Sequence, residues 1–294
     1  MKFLDKHFKY VSLAPALLIL ALLTVYPILA LVRMSVSSSS FEQGRIVWQF
    51  VGLANFEMMF NDPTAIASFV NTLKLVVISV FVETVFGLVL ALLVSRTRTL
   101  NLFYRTVVIL PLLIPPIAIG AMWFMMLQYN FGMVNAVLLR FGVSGPTWLA
   151  DPNLAFFSVL VVDIWHWTSF QFLILLSGLE ALPHELNEAA EIDGASESQV
   201  LRFITLPLLQ PIIVVAVTLR TIFAFKVFEQ IYLLTGGGPG NATEVISSYI
   251  ETVSFEQGRL GYGSALSLVT ALAITLFIIF YQVILVARKP KVTV

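Results

Sequence analysis

The chain contains no cysteine. Disulfides and thiolate metal sites are therefore excluded. Charge is scarce too: 12% of the 294 residues are Asp, Glu, Lys or Arg, and the 17 basic and 17 acidic ones cancel. Without a basic surplus the chain lacks the electrostatic footprint of a nucleic-acid binder. Its three histidines, His7, His166 and His184, lie far apart, and no His-x-x-x-His or acid-spaced ligand set occurs, so no metal site is predicted. No lysine follows a glycine, which excludes a phosphate-cradling P-loop, so any ATP must be bound by another polypeptide. Low-complexity linkers and short-period repeats are also missing, and a single membrane domain is the simplest organisation. What the chain has in abundance is apolar surface: 59% of its residues are hydrophobic and the mean hydropathy is +0.92, the composition of a membrane protein.

Six stretches have the roughly 20 mostly apolar residues that a transmembrane helix needs. They are residues 11–32, 69–94, 106–127, 154–176, 208–230 and 264–287. Without water to satisfy the backbone, spans of this kind form helices, so the predicted fold class is all-α, a polytopic protein of six transmembrane helices. The first stretch is too long for a signal-peptide core and no small-residue cleavage site closes it, so a retained span is expected. Loop charge sets the orientation. One side carries Lys2, Lys6, Lys9, Arg96, Arg98, Arg105, Arg202, Arg288, Lys289 and Lys291; the other carries only Arg33, Arg45, Arg140 and Arg259. Both termini are predicted to be cytoplasmic. Segment 1–10 is then an N-terminal cytoplasmic piece, 11–287 the membrane domain and 288–294 a cytoplasmic tail.

The loop between the fourth and fifth spans, 177–207, falls on the cytoplasmic side by the same count. Its core reads EAAEIDGASESQVLRFITLP from Glu188 to Pro207. Leu182-Pro183 opens one short helix, whose first turns carry Glu185 and Glu188, where the helix dipole favours acid. Gly194 ends it as a C-terminal glycine. Ser196-Glu197-Ser198-Gln199 has capping-box spacing and starts a second helix. On physics alone this is either a rigid knob offered to another protein, with Ala189 and Ala190 allowing close approach, or an ordinary interfacial loop.

The order Glu188-Ala189-Ala190, Gly194, Ile204 and Leu206-Pro207 resembles the EAA loop of bacterial ABC-importer permeases. GLANF at 52–56, Asn71-Thr72 and the stretch TGGGPGNAT at 235–243 resemble the carbohydrate branch of that family. The resemblance runs from about Gly52 through the sixth span. It implies a permease of the bacterial inner membrane that forms a heterodimer with a second permease. It also implies two copies of an ATPase carrying ATP and Mg, an external solute-binding protein, and no cofactor on this chain. Glu188, Ala189, Ala190, Gly194, Ile204, Leu206 and Pro207 are the implied ATPase-coupling residues. Gly236, Gly237, Gly238 and Pro239 lie in a turn-rich segment that reads either as a flexible connection or as a binding-protein contact.

Charges inside spans are costly and need partners or water. Asp163, His166, Trp167 and Phe170 share one face of the fourth span, beside Trp165; Thr218, Ile222, Phe225 and Glu229 share a face of the fifth. Asp163 and Arg220 lie at similar depths, about nine and ten residues from the outer ends of their spans, which predicts a pair or shared polar cavity near mid-membrane. This is either a structural ion pair or a sugar pathway. Sugars have apolar faces and hydrogen-bonding rims, and the pathway residues would be Asp163, Trp165, His166, Trp167, Arg220, Phe225 and Glu229. Glu83, deep in the second span, has no partner predictable from spacing. Leu110-Pro111 and Pro115-Pro116 break the third span. The function expected is translocation of a carbohydrate or related polyol by alternating access. The alternatives are an ion-gradient-driven carrier using Asp163, Glu83 and His166, or an ABC permease for a non-sugar solute.

Overall fold

The computed structural model describes residues 2–42, 45–96 and 101–287. Segments 97–100 and 288–294, with Arg98, Arg288, Lys289 and Lys291, lie outside the described residues, as do the side chains of Lys2, Lys6 and Lys9. The described chain is almost entirely helical. Five helices are long and apolar enough to cross a membrane, or six if a pair of shorter apolar helices, sharply bent at a break, counts as one span.

Packing divides the chain into two compact units. The first comprises residues 1–63 and 250–272. Helix α1 (Lys2–Ser35) leads into an antiparallel hairpin, β1 (Ser37–Glu42) and β2 (Arg45–Phe50), paired from Ser37↔Phe50 to Glu42↔Arg45. Alternation is absent from the Ser37–Ser40 run, which is why the sequence did not predict these strands. Helix α2 (Ala54–Asn61) follows, and its Asn55 amide donates to the carbonyls of Ser35 (2.9 Å) and Ser37 (3.0 Å). Leu13, Leu17, Leu18 and Leu22 of α1 are exposed, as suits a helix facing lipid tails.

The second unit, 64–249 and 273–294, contains the candidate site. Helix α3 (Pro63–Arg96) starts with proline at its first position. The third span is α4 (Asn101–Ile109), a 3₁₀ turn at Leu110–Leu113, and α5 (Pro116–Met126), bent by 93°. Pro111, Pro115 and Pro116 lack backbone donors, and Ile114 before Pro115 is forced into an extended conformation. Helix α6 (Met133–Arg140) precedes α7 (Pro152–Glu180), which is capped by Asp151 accepting from Asn153 (2.9 Å) and Leu154 (3.0 Å).

The loop between the fourth and fifth spans folds as the helix pair expected: α8 (His184–Ile192), a turn at Gly194, then α9 (Glu197–Val200). Gly194 has φ +79°, and Ala195 N–H donates to Ala190 C=O (2.9 Å), a Schellman closure. Ser196 and Gln199 form the predicted capping box. Helix α9 runs through a π-helical turn, Leu201–Thr205, into α10 (Leu206–Phe225). Pro207 explains the widened turn: it has no N–H for the Phe203 carbonyl and its ring crowds that carbonyl, while Leu206 N–H reaches Leu201 C=O instead.

The fifth span is shorter than residues 208–230. Helix α10 stops at Phe225, and Glu229 begins a separate helix, α11 (Glu229–Leu234). The freed Val227 carbonyl accepts from the Ser247 hydroxyl, which meets the rule that broken spans persist only where protein re-satisfies the backbone. Helix α12 (Ile246–Glu251), a second π turn at Thr252–Glu256 and α13 (Leu260–Ala287) complete the chain. The core of this unit is α3, α7 and α10. Leu75, Val76, Val159, Val162 and Ala224 fill one cluster; Ala91, Phe172, Leu175, Leu209 and Ala216 fill another.

Candidate functional site

Between the two apolar clusters lies a fully buried ion cluster. Arg220 of α10 donates Nε to Glu83 Oε2 (2.5 Å) and Nη2 to Glu83 Oε1 (2.9 Å), a bidentate grip. The same Nη2 donates to Asp163 Oδ2 of α7. All three side chains are 0% exposed. The Asp163–Arg220 pair expected from depth is present, and Glu83 completes it. Spacing gave no partner for Glu83 because the contact joins residues 137 apart on helices that are not consecutive. Burying one cation with two anions is costly unless hydrogen bonds compensate. Arg220 Nη1 and Asp163 Oδ1 have no hydrogen-bond partner among the described residues, so the cluster keeps unused polar capacity.

Aromatic rings extend from the cluster. The Arg220 guanidinium lies 4.7 Å from the Trp167 ring centroid. Trp167 stacks on Phe223 at 5.3 Å and 21°, and Phe170 meets both rings edge-on. Buried His166 lies beside Asp163 and Gln230, its ring 5.0 Å from Trp167. Trp167 and Phe223 wall a cavity of about 160 Å³ with Pro116, Lys226, Val227, Glu229 and Gln230. Phe223, Lys226 and Gln230 were not among the expected lining residues. Phe223 follows Arg220 by three positions, so helical spacing alone places it on the same face.

Two expected pathway residues lie elsewhere. Trp165 is exposed, packs edge-on against Trp123 at 5.7 Å and lines an apolar groove with Val82 and Phe86. A residue two before Trp167 is about 200° round the helix, so adjacency in sequence separated the two. Phe225 is buried in the apolar core against Phe277. Glu229 does reach the cavity, but from α11 and not as a continuation of the Thr218–Phe225 face.

The segment 235–243 carries internal hydrogen bonds. Thr243 donates to Gly238 C=O (2.8 Å) and its hydroxyl lies 2.7 Å from that of Thr235. At the far end of α7, the 177–207 loop is tied by Arg96–Glu197 (2.5 Å) and by Arg105–Glu180. Exposed pairs of this kind add little stability but hold an orientation. Glu188 and Ala189 are exposed and Ala190 is buried. Gly194, Val200, Phe203 and Ile204 line an open concavity of about 340 Å³. Phe203 (67% exposed) presents apolar surface there, and Ile192 (86%) presents more on the preceding helix; among the described residues neither is covered.

Residues 83–294 match the family described as the binding-protein-dependent transport system inner membrane component. The chain belongs to this family. It is a multi-pass inner-membrane permease subunit of an ABC importer and not an enzyme, which removes the ion-driven carrier as an alternative. It is 38% identical over 283 residues to the sulfoquinovosyl glycerol transport system permease protein SmoG of Agrobacterium fabrum, covering 95% of this chain and 91% of that protein. It is 36% identical to the trehalose/maltose transport system permease protein MalF of Thermococcus litoralis, covering 96% and 94%. A solved bacterial ABC transporter for import of the acidic polysaccharide alginate matches its fold with TM-score 0.84 and 23% identity, over 98% of this chain and 99% of that one.

A change of Trp167 tests whether the cavity lies on the solute path. Trp167→Leu is expected to raise the apparent KM for uptake by about threefold to tenfold, the worth of one aromatic contact. Unchanged KM with normal assembly removes Trp167 from the path.

Proposed function

We propose that this permease passes a carbohydrate or related polyol, paired with a second permease, resting on two copies of an ATPase and supplied by an external binding protein. The exposed apolar concavity around Gly194 carries the reading. A rigid two-helix element presenting Ile192 and Phe203 on a loop assigned to the cytoplasm is a surface made for a protein partner. Glu188, exposed beside Ala189, is placed to meet a base on the ATPase, and Ala189 permits close contact. Gly194 sets the turn and Pro207 the start of the fifth span. Both termini face the cytoplasm by the loop-charge rule. ATP and Mg act on the partner ATPase, whose closure the coupling helices pass on as a rigid-body movement.

Carbohydrate is favoured by the relatives, whose names assign them sugars or sugar derivatives, and by the site. Trp167 and Phe223 offer aromatic faces, while Lys226, Glu229 and Gln230 offer groups for hydroxyls. At about 160 Å³ the cavity is below the roughly 300 Å³ of ordinary ligand pockets, so passage requires it to widen. The bend at Pro115-Pro116 and the break at Lys226–Phe228 adjoin the cavity and are the places where the spans part.

The test is a gentle-detergent pulldown of the tagged chain from its native membrane beside Glu188→Lys. An ATPase and a second permease are expected with the wild type, and the variant is expected to keep the permease but lose the ATPase. Recovery of the chain alone overturns the proposal.

A further inference from the structure

The segment 235–243 is fastened to α3 at two places: the Asn241 side-chain amide donates to Thr64 Oγ1 at the exposed start of α3 (3.3 Å), and Asn71 holds the backbone from a buried position further along. Asn71 Nδ2 donates to the carbonyls of Asn241 (3.0 Å) and Glu244 (3.1 Å). Next to it, Thr72 Oγ1 accepts from Ile246 N–H (2.9 Å), just beyond the segment. Both residues are buried, Asn71 at 9% and Thr72 at 1% exposure. A primary amide is what two converging carbonyls need, since it supplies two N–H donors on one atom. Leucine has a similar volume and supplies none, and it would leave two carbonyls without that partner.

The other end of the segment leads straight out of α11, whose Glu229 and Gln230 form part of the cavity wall. Helix α3 carries Asn71, then Glu83 of the ion cluster, then Arg96, which pairs with Glu197 of the coupling helices. From Asn71 to Arg96 is 25 residues of unbroken helix, about 38 Å. The grip at Asn71 therefore joins the segment to a rod that touches both the ion cluster and the coupling helices.

We propose that Asn71 is a positioning residue that fixes segment 235–243 to α3, so that a binding protein seated on the segment is sensed along α3. This rests on reading Gly236, Gly237, Gly238 and Pro239 as the binding-protein contact. The importer is assembled in nanodiscs with its ATPase, and hydrolysis is measured without and with its own binding protein, carrying its endogenous cargo, at saturation. Hydrogen exchange of the 235–243 amides is followed in the same assemblies. In Asn71→Leu, stimulation by the binding protein is expected to fall about tenfold, the size of a typical coupling between sites. The unstimulated rate stays at the wild-type value and exchange of 235–243 accelerates. Full stimulation overturns the proposal, and so does lost stimulation with wild-type exchange. Gly240→Asp tests the contact separately. Gly240 has φ +56°, which aspartate tolerates, and its Cβ position has nothing within 4 Å. This variant is expected to lower stimulation without altering exchange of the segment. Full stimulation in Gly240→Asp removes the contact reading, while exchange in Asn71→Leu judges the grip by itself.

Discussion

Arg220→Met is expected to destabilise the chain by roughly 3–5 kcal/mol, because it strands Glu83 and Asp163 with no cation to face. The measurement is the thermal midpoint in detergent and the yield of monodisperse protein after extraction. Arg220 is 0% exposed, and among the described residues its guanidinium is the cation that binds both acids, one from α3 and one from α7. Methionine fills much of the same space, so lost volume is not the cause. Adding Glu83→Gln and Asp163→Asn to Arg220→Met is expected to recover most of the midpoint, since neutral groups of similar shape replace a buried ion set at little cost. Arg220→Lys is expected to fall between, as an ammonium lacks the planar fork that grips Glu83 twice. A wild-type midpoint for Arg220→Met alone would mean that the cluster does not hold the three helices together.

Gly87→Leu is expected to cost roughly 3 kcal/mol, the upper part of the usual range for overpacking. A Cβ at Gly87 would stand 2.7 Å from Gln171 Cβ and 2.9 Å from the Phe172 backbone nitrogen. The obstruction is the backbone of α7, which cannot turn aside as a flexible side chain does. Gly87 is one turn from Glu83 on α3, and α7 also carries Asp163, so prising these helices apart strains the ion cluster as well. Gly87→Ala should already lower the midpoint. Full stability in Gly87→Leu would show that α3 and α7 have room to separate.

The coupling loop was the most legible part of the sequence, and for a physical reason. Gly194, Ser196, Gln199 and Pro207 act through the backbone within a turn or two, so their spacing alone fixes a glycine turn, a capping box and a helix start. Asp163 and Arg220 were also legible, because two charges at equal depth in apolar helices must find each other. Glu83 was not, since its partner depends on which nonconsecutive helices pack together. Trp165 was misplaced by reading neighbours in sequence as neighbours in space. Glu229 lines the cavity as expected, but that it does so from a separate helix was not legible, because the break at Lys226–Phe228 contains neither glycine nor proline and its compensation by Ser247 comes from twenty residues downstream. The tether of segment 235–243 escaped for the same reason: the glycines left a flexible connection and a partner contact both open, and the α3 side chains that hold the segment lie 170 and 177 positions earlier.

The π turn at Leu201–Thr205 has a consequence for how this chain tolerates length changes. Each helical residue advances the direction of its side chain by about 100°. The widened turn therefore fixes the azimuth of the Phe203 face relative to the face carrying Arg220, within one continuous rod from Glu197 to Phe225. Inserting or deleting a single residue between Glu197 and Leu206 leaves both halves helical but swings one past the other by about 100°. The count of residues from Glu197 to Pro207 is thus an angular setting, and a chain one residue longer or shorter there would aim its docking face away from its partner while both helical halves persisted.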